Sequence, residues 1–451
     1  MKRDVIIVNA SSEKSQIKLP LGTAVILNSL TLHNMEAQLI DLLPVPAEER
    51  EVYFKKRIPD KPAIFGFGII AGNNHINAVE KYAKMIVDAD PRHLVVYGGP
   101  LPSSAPELLL TKCCCKYVVA GEGEFSLPAL IKSVDEGELY PENIPGVHYL
   151  KSGIYFQKPP EKIKHLGKWS DPDYSYFDMD FYINYLKETN QSFEIMASRG
   201  CVGDCSFCYK FMGAGLSFRS AGTVLDEIEV MMARYDFRKF YFVDENFLQN
   251  KSFFYEFLNE KQRRKLAFSF IAQGRIDAVD GELCKAGSKG GLICISTGIE
   301  SASQKTLDRI NKKTKIEEIE DKIKLMHDYN IEVAANFIIG FPWDTEDDYE
   351  AMINFIVRNR LERKAKISYL CPLPGTRIYV DLVKRGVIKD EYNYIKSLGN
   401  LYWERMINLT NMPDAVLDSY YQQLFRLGQR MMASPKSEKY VSKLNLPLQE
   451  A

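Results

Sequence analysis

The sequence predicts an α/β protein built as a Rossmann-like parallel sheet, then a partial (β/α)6 barrel, then a helical region. Three observations predict it. Short apolar runs alternate with amphipathic stretches of helical period across residues 1–135. The same alternation restarts at Phe193 and continues for about six units. After Gly375 the pattern is helical.

In the first unit, DVIIVNA, AIFGFGI, HLVVYGG and KYVVAGE read as strands, and GTAVILNSLTLHN, HINAVEKYAKMIVDA and FSLPALIKSV as helices. A parallel sheet of this kind takes its ligands at the carboxyl ends of its strands. Gly66, Gly68 and Gly72, then Gly98 and Gly99, then Gly121 and Gly123 fall at those ends. Ordinary tight βα turns account for such glycines equally well. Residues 136–190 carry Pro141, Pro145, Pro159, Pro160 and Pro172 and read as an irregular linker, with a small hairpin around HYLKSGIYFQ. The barrel is assigned to 191–380, with EIMAS, KFYFVDENF, AFSFIAQ, LICISTGIE, EVAANFIIGFP and AKISYLCPLP as strands. Residues 381–451 form the helical region, in which Tyr402, Trp403, Tyr420 and Tyr421 have helical spacing that suits core packing better than substrate contact.

A chain of 451 residues is long enough for several cores. Its 58 Lys and Arg against 59 Asp and Glu, with no long block of one sign, give no reason to expect nucleic acid as a partner. MKRDVIIVNASSEK reads as a first strand and not a secretion signal, and no stretch is apolar enough to span a membrane. Nine cysteines without a disulfide-like pattern point to a reducing compartment, hence the cytoplasm. Contiguous Cys113, Cys114 and Cys115 alternate in direction and suit packing at a strand start. Cys284, Cys294 and Cys371 sit among apolar neighbours as isolated thiols.

Cys201, Cys205 and Cys208 are different. In SRGCVGDCSFCYKF they follow the first barrel strand directly, at the end where barrel chemistry takes place. Three thiolates within eight residues can converge on one centre. Zinc is the rival reading, although a structural zinc wants four ligands and the nearest further cysteine is Cys284. A [4Fe–4S] cluster on three thiolates leaves one iron open for a ligand.

The C-x3-C-x2-C spacing, with Phe207 before the last cysteine, resembles the signature of the radical S-adenosylmethionine superfamily. The resemblance implies that Cys201, Cys205 and Cys208 hold the cluster, and that S-adenosylmethionine on the open iron is cleaved to a 5′-deoxyadenosyl radical. It extends to FYFVDENF, where Asp244 and Glu245 would receive the methionyl amino group. Arg275 would pair with the methionyl carboxylate. Glu300 and Ser301 in STGIESAS would face the ribose, and Gly340, Phe341 and Pro342 in GFPWDT the adenine; PLPGT resembles the segment closing the sixth strand.

The first unit resembles the cobalamin (B12)-binding domain that precedes the barrel in one subgroup. On that resemblance Gly22, Gly68, Gly72, Gly99, Leu101, Gly121, Glu122 and Gly123 would line a cobalamin site, with Leu101 beneath cobalt. The D-x-H-x-x-G segment that supplies a histidine ligand elsewhere is absent. The implied activity is cobalamin-dependent methylation of an unactivated carbon on a small-molecule or natural-product intermediate, with electrons from a flavodoxin or ferredoxin. The alternatives are a radical dehydration, epimerisation, cyclisation or rearrangement with the first domain as scaffold, and a metal-binding protein without catalysis.

Overall fold

A computed structural model of the protein describes residues 2–10, 17–210, 213, 215–399 and 404–428; Tyr402 and Trp403 lie outside them. The first sheet has seven strands: β1 (Asp4–Asn9), β2 (Ala37–Asp41), β3 (Ala63–Gly68), β4 (Leu94–Gly98), β5 (Tyr117–Val119), β6 (Val147–Lys151) and β7 (Ile154–Gln157). Their order is β2-β1-β3-β4-β5-β6-β7. The first five are parallel because a helical crossover follows each of β1 to β4, as the βα alternation predicts. The 2-1-3-4-5 order is a doubly wound arrangement whose switch point lies between β1 and β3. Gly68 ends β3 there.

The hairpin predicted around HYLKSGIYFQ forms, but β6 pairs antiparallel with β5. The first sheet therefore runs on to Gln157, past the expected boundary at residue 135. Tyr149 explains the attachment: it is 2% exposed and packs edge-on to Tyr117 of β5. An apolar face on the hairpin seeks cover, and the sheet edge supplies it.

The second sheet comprises β8 (Phe193–Ile195), β11 (Lys239–Phe242), β12 (Ser269–Gln273), β13 (Leu292–Glu300), β14 (Glu332–Ile339) and β15 (Ala365–Tyr369), all parallel and paired in that sequence. Six strands, each neighbour the next in the chain, make the partial barrel. One face of each strand meets the helices: Phe242 and Phe270 pack edge-on against Phe257 of the helix Lys251–Arg263. The alternate residues line the concave face and mix polar side chains with a few apolar ones such as Ile271 and Ile338. There Tyr241 Oη donates to Gln273 Oε1 (2.9 Å) and Asn336 Nδ2 to Ser296 Oγ (3.4 Å). Polar alternation on a concave face suits a wet cavity and not a filled core.

The helix Asp414–Gly428 closes on β15, where Tyr421, 3% exposed, stacks on Tyr369 at 4.2 Å. Tyr421 is thus core, as its spacing predicts. Among the described residues no helix is long and apolar enough to cross a membrane.

Candidate active site

The cysteine loop leaves β8 and is pinched at its base by β9 (Ser198–Arg199), which pairs antiparallel with β10 (Ser217–Phe218). All three thiols are half-buried. Cys201 Sγ accepts from the Gly203 amide (3.3 Å) and Asn246 Nδ2 (3.8 Å), and Cys205 Sγ from Arg275 Nη1 (3.6 Å). Burial pushes the Cys208 thiol up to about 12, and the charges of Cys205, Glu245, Cys201 and Glu300 push the same way. Five acidic groups from the loop and the ends of β11 and β13 therefore share one region. A cationic cluster bound there would hold the sulfurs as thiolates.

Among the described residues no three His, Cys, Asp or Glu side chains lie close enough together to share one metal ion. A zinc would draw its sulfurs onto one point at about 2.3 Å. A four-iron cube attaches each thiolate to a different iron and so spreads them. Three thiols, donors aimed at two of the sulfurs and no fourth cysteine in the loop fit the cube.

The neighbouring strand ends bring the remaining predicted residues to the same rim, with differing partners. Asp244 is 1% exposed; its carboxylate accepts the Ala197 amide (3.1 Å), and burial raises its pKa to about 6 against the local amide hydrogen bonds. It anchors the start of the cysteine loop. Glu245 is less enclosed, its pKa raised by burial and opposed by the Gly200 amide, Lys162 and Lys210. Arg275 pairs with Asp277 (2.8 Å) and donates to the Lys312 carbonyl (2.6 Å). Glu300 pairs with Lys312 Nζ at 2.8 Å, both side chains under 10% exposed, and its backbone takes φ +71° at a bulge in β13. A non-glycine residue in that region signals a held, functional geometry. Ser301 is buried, and its hydroxyl accepts the Ser303 amide (3.1 Å). Phe207 meets Phe341 edge-on at 6.1 Å, and Phe341 stacks on Trp343, so the cysteine loop and the fifth-strand turn touch.

Three residues outside the sequence reading organise this rim. Asn246 ties the Arg275 amide (3.1 Å) to Cys201. Lys312 joins Glu300 to Arg275. Asp344 accepts the amides of Gly340 (3.1 Å) and Phe341 (3.0 Å) and the Tyr349 hydroxyl (3.2 Å), which shapes the turn of Gly340, Phe341 and Pro342. Asp344→Ala takes the acceptor from the buried Phe341 amide and Tyr349 hydroxyl, leaves the Gly340 amide only the Tyr349 oxygen (3.0 Å), and is expected to cost roughly 2–4 kcal/mol, read as a lowered midpoint in urea unfolding. An unchanged midpoint would show that the turn holds itself.

In the first unit, Gly22 and Gly68 are exposed, and a Cβ at either would meet nothing within 4 Å. Beside Gly68, Ile70 is 48% exposed. An open floor with an apolar edge at the switch point fits a large planar ligand. Gly72 and Gly99 have positive φ, and a Cβ at Gly99 would crowd the Ile69 backbone. Leu101 faces elsewhere than expected: it is 1% exposed in the core, its amide bonded to the Ile69 carbonyl (3.0 Å), so Ile70 is the apolar residue on show. Gly121, Glu122 and Gly123 are also turned to other work. A Cβ at Gly121 would strike Pro160 and one at Gly123 would strike Ile26, while Glu122 pairs with Arg199. His75 has both ring nitrogens engaged, with the Ile70 amide (3.2 Å) and the Ala10 carbonyl (2.7 Å).

The radical SAM superfamily model matches residues 195–356, and the B12 binding domain model matches residues 15–131. The chain thus carries a radical SAM domain with a B12-binding domain ahead of it. It is 29% identical over 367 residues to an uncharacterized methyltransferase of Pyrococcus horikoshii, covering 80% of this chain and 77% of that protein. It is 28% identical over 346 residues to the anaerobic magnesium-protoporphyrin IX monomethyl ester cyclase of Rubrivivax gelatinosus, covering 74% of this chain and 61% of the cyclase. In fold it is similar to the radical S-adenosylmethionine methyltransferase TsrM from Kitasatospora setae, with TM-score 0.74 and 17% identity over 85% of this chain and 75% of that one. This radical SAM protein is an enzyme whose cofactors are a [4Fe–4S] cluster, S-adenosylmethionine and cobalamin.

Proposed function

We propose that the enzyme transfers a methyl group to an unactivated carbon of a small molecule. The observation that carries this reading is a cavity of about 150 Å³ lined from both units: Ser104 from the first, and Cys205, Cys208, Tyr209 and Gly375 from the barrel side. Ser104 ends the helix Pro100–Ser104, which follows β4, and a Cβ at Gly375 would lie 3.2 Å from its Cβ. The Tyr209 hydroxyl faces Ser104 as well. The cysteine loop and the end of the helix that follows β4 thus border one space, where a radical and a methyl donor have to meet. When bound, the cluster with S-adenosylmethionine supplies the hydrogen-abstracting radical, and cobalamin supplies the methyl group.

The residues of the chain hold and orient. Cys201, Cys205 and Cys208 bind the cluster, with Asn246 donating to Cys201 Sγ and Arg275 to Cys205 Sγ. Glu245 receives the methionyl amino group, Arg275 its carboxylate, and Glu300 with Ser301 the ribose. Phe341 and Pro342, on the turn fixed by Asp344, pack against adenine. The polar concave face, with Tyr241, Gln273, Ser296 and Asn336, receives a polar substrate. An external one-electron donor of the flavodoxin or ferredoxin type reduces the cluster.

Anaerobically reconstituted protein, given S-adenosylmethionine labelled in its methyl group and a chemical reductant, tests this. Retained cobalamin, with both S-adenosylhomocysteine and 5′-deoxyadenosine formed, is the expected result. 5′-Deoxyadenosine alone, from protein that keeps no cobalamin, overturns methyl transfer and leaves a radical rearrangement.

A further inference from the structure

Arg199 stands two residues before Cys201 and is only 5% exposed. Its Nη1 lies 3.0 Å from Glu122 Oε1 and 2.5 Å from Glu124 Oε1, and those carboxylate side chains are 3% and 2% exposed. The two glutamates stand at the start of the helix Gly123–Asp135, which follows β5 in the B12-binding domain; the arginine is in β9, at the base of the barrel's cysteine loop. We propose that this buried triad is a clamp that fixes the cluster-bearing loop onto the first domain, and that Arg199 is a positioning residue for the cluster.

Buried charge is a poor way to gain stability. Removing three charges from water costs several kcal/mol per ion, and apolar replacements of similar volume are often as stable or more so. What such a group supplies is one permitted arrangement, since any slip leaves a charge buried without its partner. The surroundings of the triad are consistent with that use. Glu122 Oε2 accepts the Ile163 amide (2.6 Å), and Glu124 Oε1 accepts the Ser170 hydroxyl (3.1 Å), so the linker is bound into it. The Ser29 hydroxyl, on the helix Leu21–Leu32, donates to the Glu124 carbonyl. Both glutamates are thereby pinned before Arg199 reaches them.

Little slack separates the clamp from the first sulfur. Arg199 is paired with Ser217 across the ladder. Gly200 follows with φ +88°, and a Cβ there would overlap the Gly215 carbonyl and lie 2.7 Å from Lys162 Nζ. The next residue is Cys201. A shift of Arg199 relative to Glu122 and Glu124 is therefore a shift of the cluster relative to the first domain. Contacts between domains ordinarily permit relative motion unless something specific prevents it, and radical transfer between separately held groups tolerates little misplacement.

The inference rests on the cluster being held by the cysteine loop and does not require cobalamin. Its test is a pulsed-EPR distance distribution between the reduced cluster and a nitroxide attached, through a non-cysteine linkage, at position 84. Lys84 is on the helix His75–Ala89 of the first domain, with its side chain 70% exposed. Arg199→Met strands two buried carboxylates, so the deciding variant is the triple Arg199→Met, Glu122→Gln, Glu124→Gln, which removes all three charges together. In the reconstituted triple variant, with iron and sulfide content equal to wild type, the distribution is expected to be at least about twofold wider, and Arg199→Lys is expected to narrow it again. A triple variant with the wild-type distribution overturns the clamp, even if its melting temperature falls, because that combination describes a merely structural group. Cobalamin content of the same samples tests the methyl-transfer reading separately. Were the wild type itself to load no iron, the cluster reading would fail, and hydrogen exchange over residues 197–203 would still decide the clamp: faster exchange in the triple variant supports it, and unchanged exchange overturns it.

Discussion

Cys208→Ala is expected to empty the protein of iron and sulfide, from about four of each per chain to near zero, and to end reductive cleavage of S-adenosylmethionine altogether. The size of the effect follows from the site. Three thiolates are already one fewer than the irons of the cube, because the fourth is reserved for S-adenosylmethionine, so a second open iron exposes the cluster to solvent and loss. Cys208 also lies among acidic neighbours, with Cys205, Glu245, Cys201 and Glu300 all acting on it. Cys113→Ala is the matched control. Cys113 lies between the helix Pro106–Lys112 and β5, with its sulfur 3.9 Å from the Tyr392 hydroxyl, and its loss is expected to leave cluster content unchanged. Iron and acid-labile sulfide assays on both variants decide the matter; a Cys208→Ala protein that retains a full complement of sulfide would show that the cluster sits elsewhere.

The order of elements was legible because periodicity reports burial directly. DVIIVN must be a strand buried on both faces, and EVAANFII must present one face to helices and the other to a cavity. The cysteines were legible because three thiols at that spacing have few other uses. What escaped was whatever depends on which groups a fold brings together across the chain. Lys312 reads as a solvated lysine in NKKTK, and only the turn after Arg309 brings it 2.8 Å from Glu300. Asp344 reads as a turn aspartate and proves to hold two buried amides and a hydroxyl. Glu122 looked like part of a glycine-rich cradle because its neighbours are glycines. Those glycines are small so that Pro160 and Ile26 can approach, and the glutamate between them meets an arginine 77 residues away. The burial of Leu101 escaped for a similar reason: the helix beginning at Pro100 turns it into the core, which no periodicity over five residues reveals.

Gly298→Ala should weaken S-adenosylmethionine binding by about 10- to 100-fold, or roughly 1.4–2.8 kcal/mol, while leaving the cluster intact. Gly298 lies under the Glu300 carboxylate, where a Cβ would overlap its Oε1 and come within 3.1 Å of Lys312 Nζ. A flexible glutamate would swing aside at little cost. This one is not free to do so, because its φ of +71° aims it, and Lys312 holds it in a pair 5% and 9% exposed. The added methyl therefore has to push the carboxylate off its cation, and the proposed ribose contact goes with it. Lys312→Met is the complementary change: it leaves Glu300 buried without a partner, at an expected cost of about 3–5 kcal/mol in unfolding free energy. It also perturbs the Lys312 backbone that receives Arg275 at 2.6 Å. Residue 312 thus links the two side chains proposed to grip the methionyl carboxylate and the ribose of S-adenosylmethionine. The two variants separate position from charge: equilibrium binding of S-adenosylmethionine to reconstituted protein should fall in both, but only Lys312→Met should unfold markedly more easily. Wild-type affinity in Gly298→Ala would mean that Glu300 serves the fold of β13 and not the ribose.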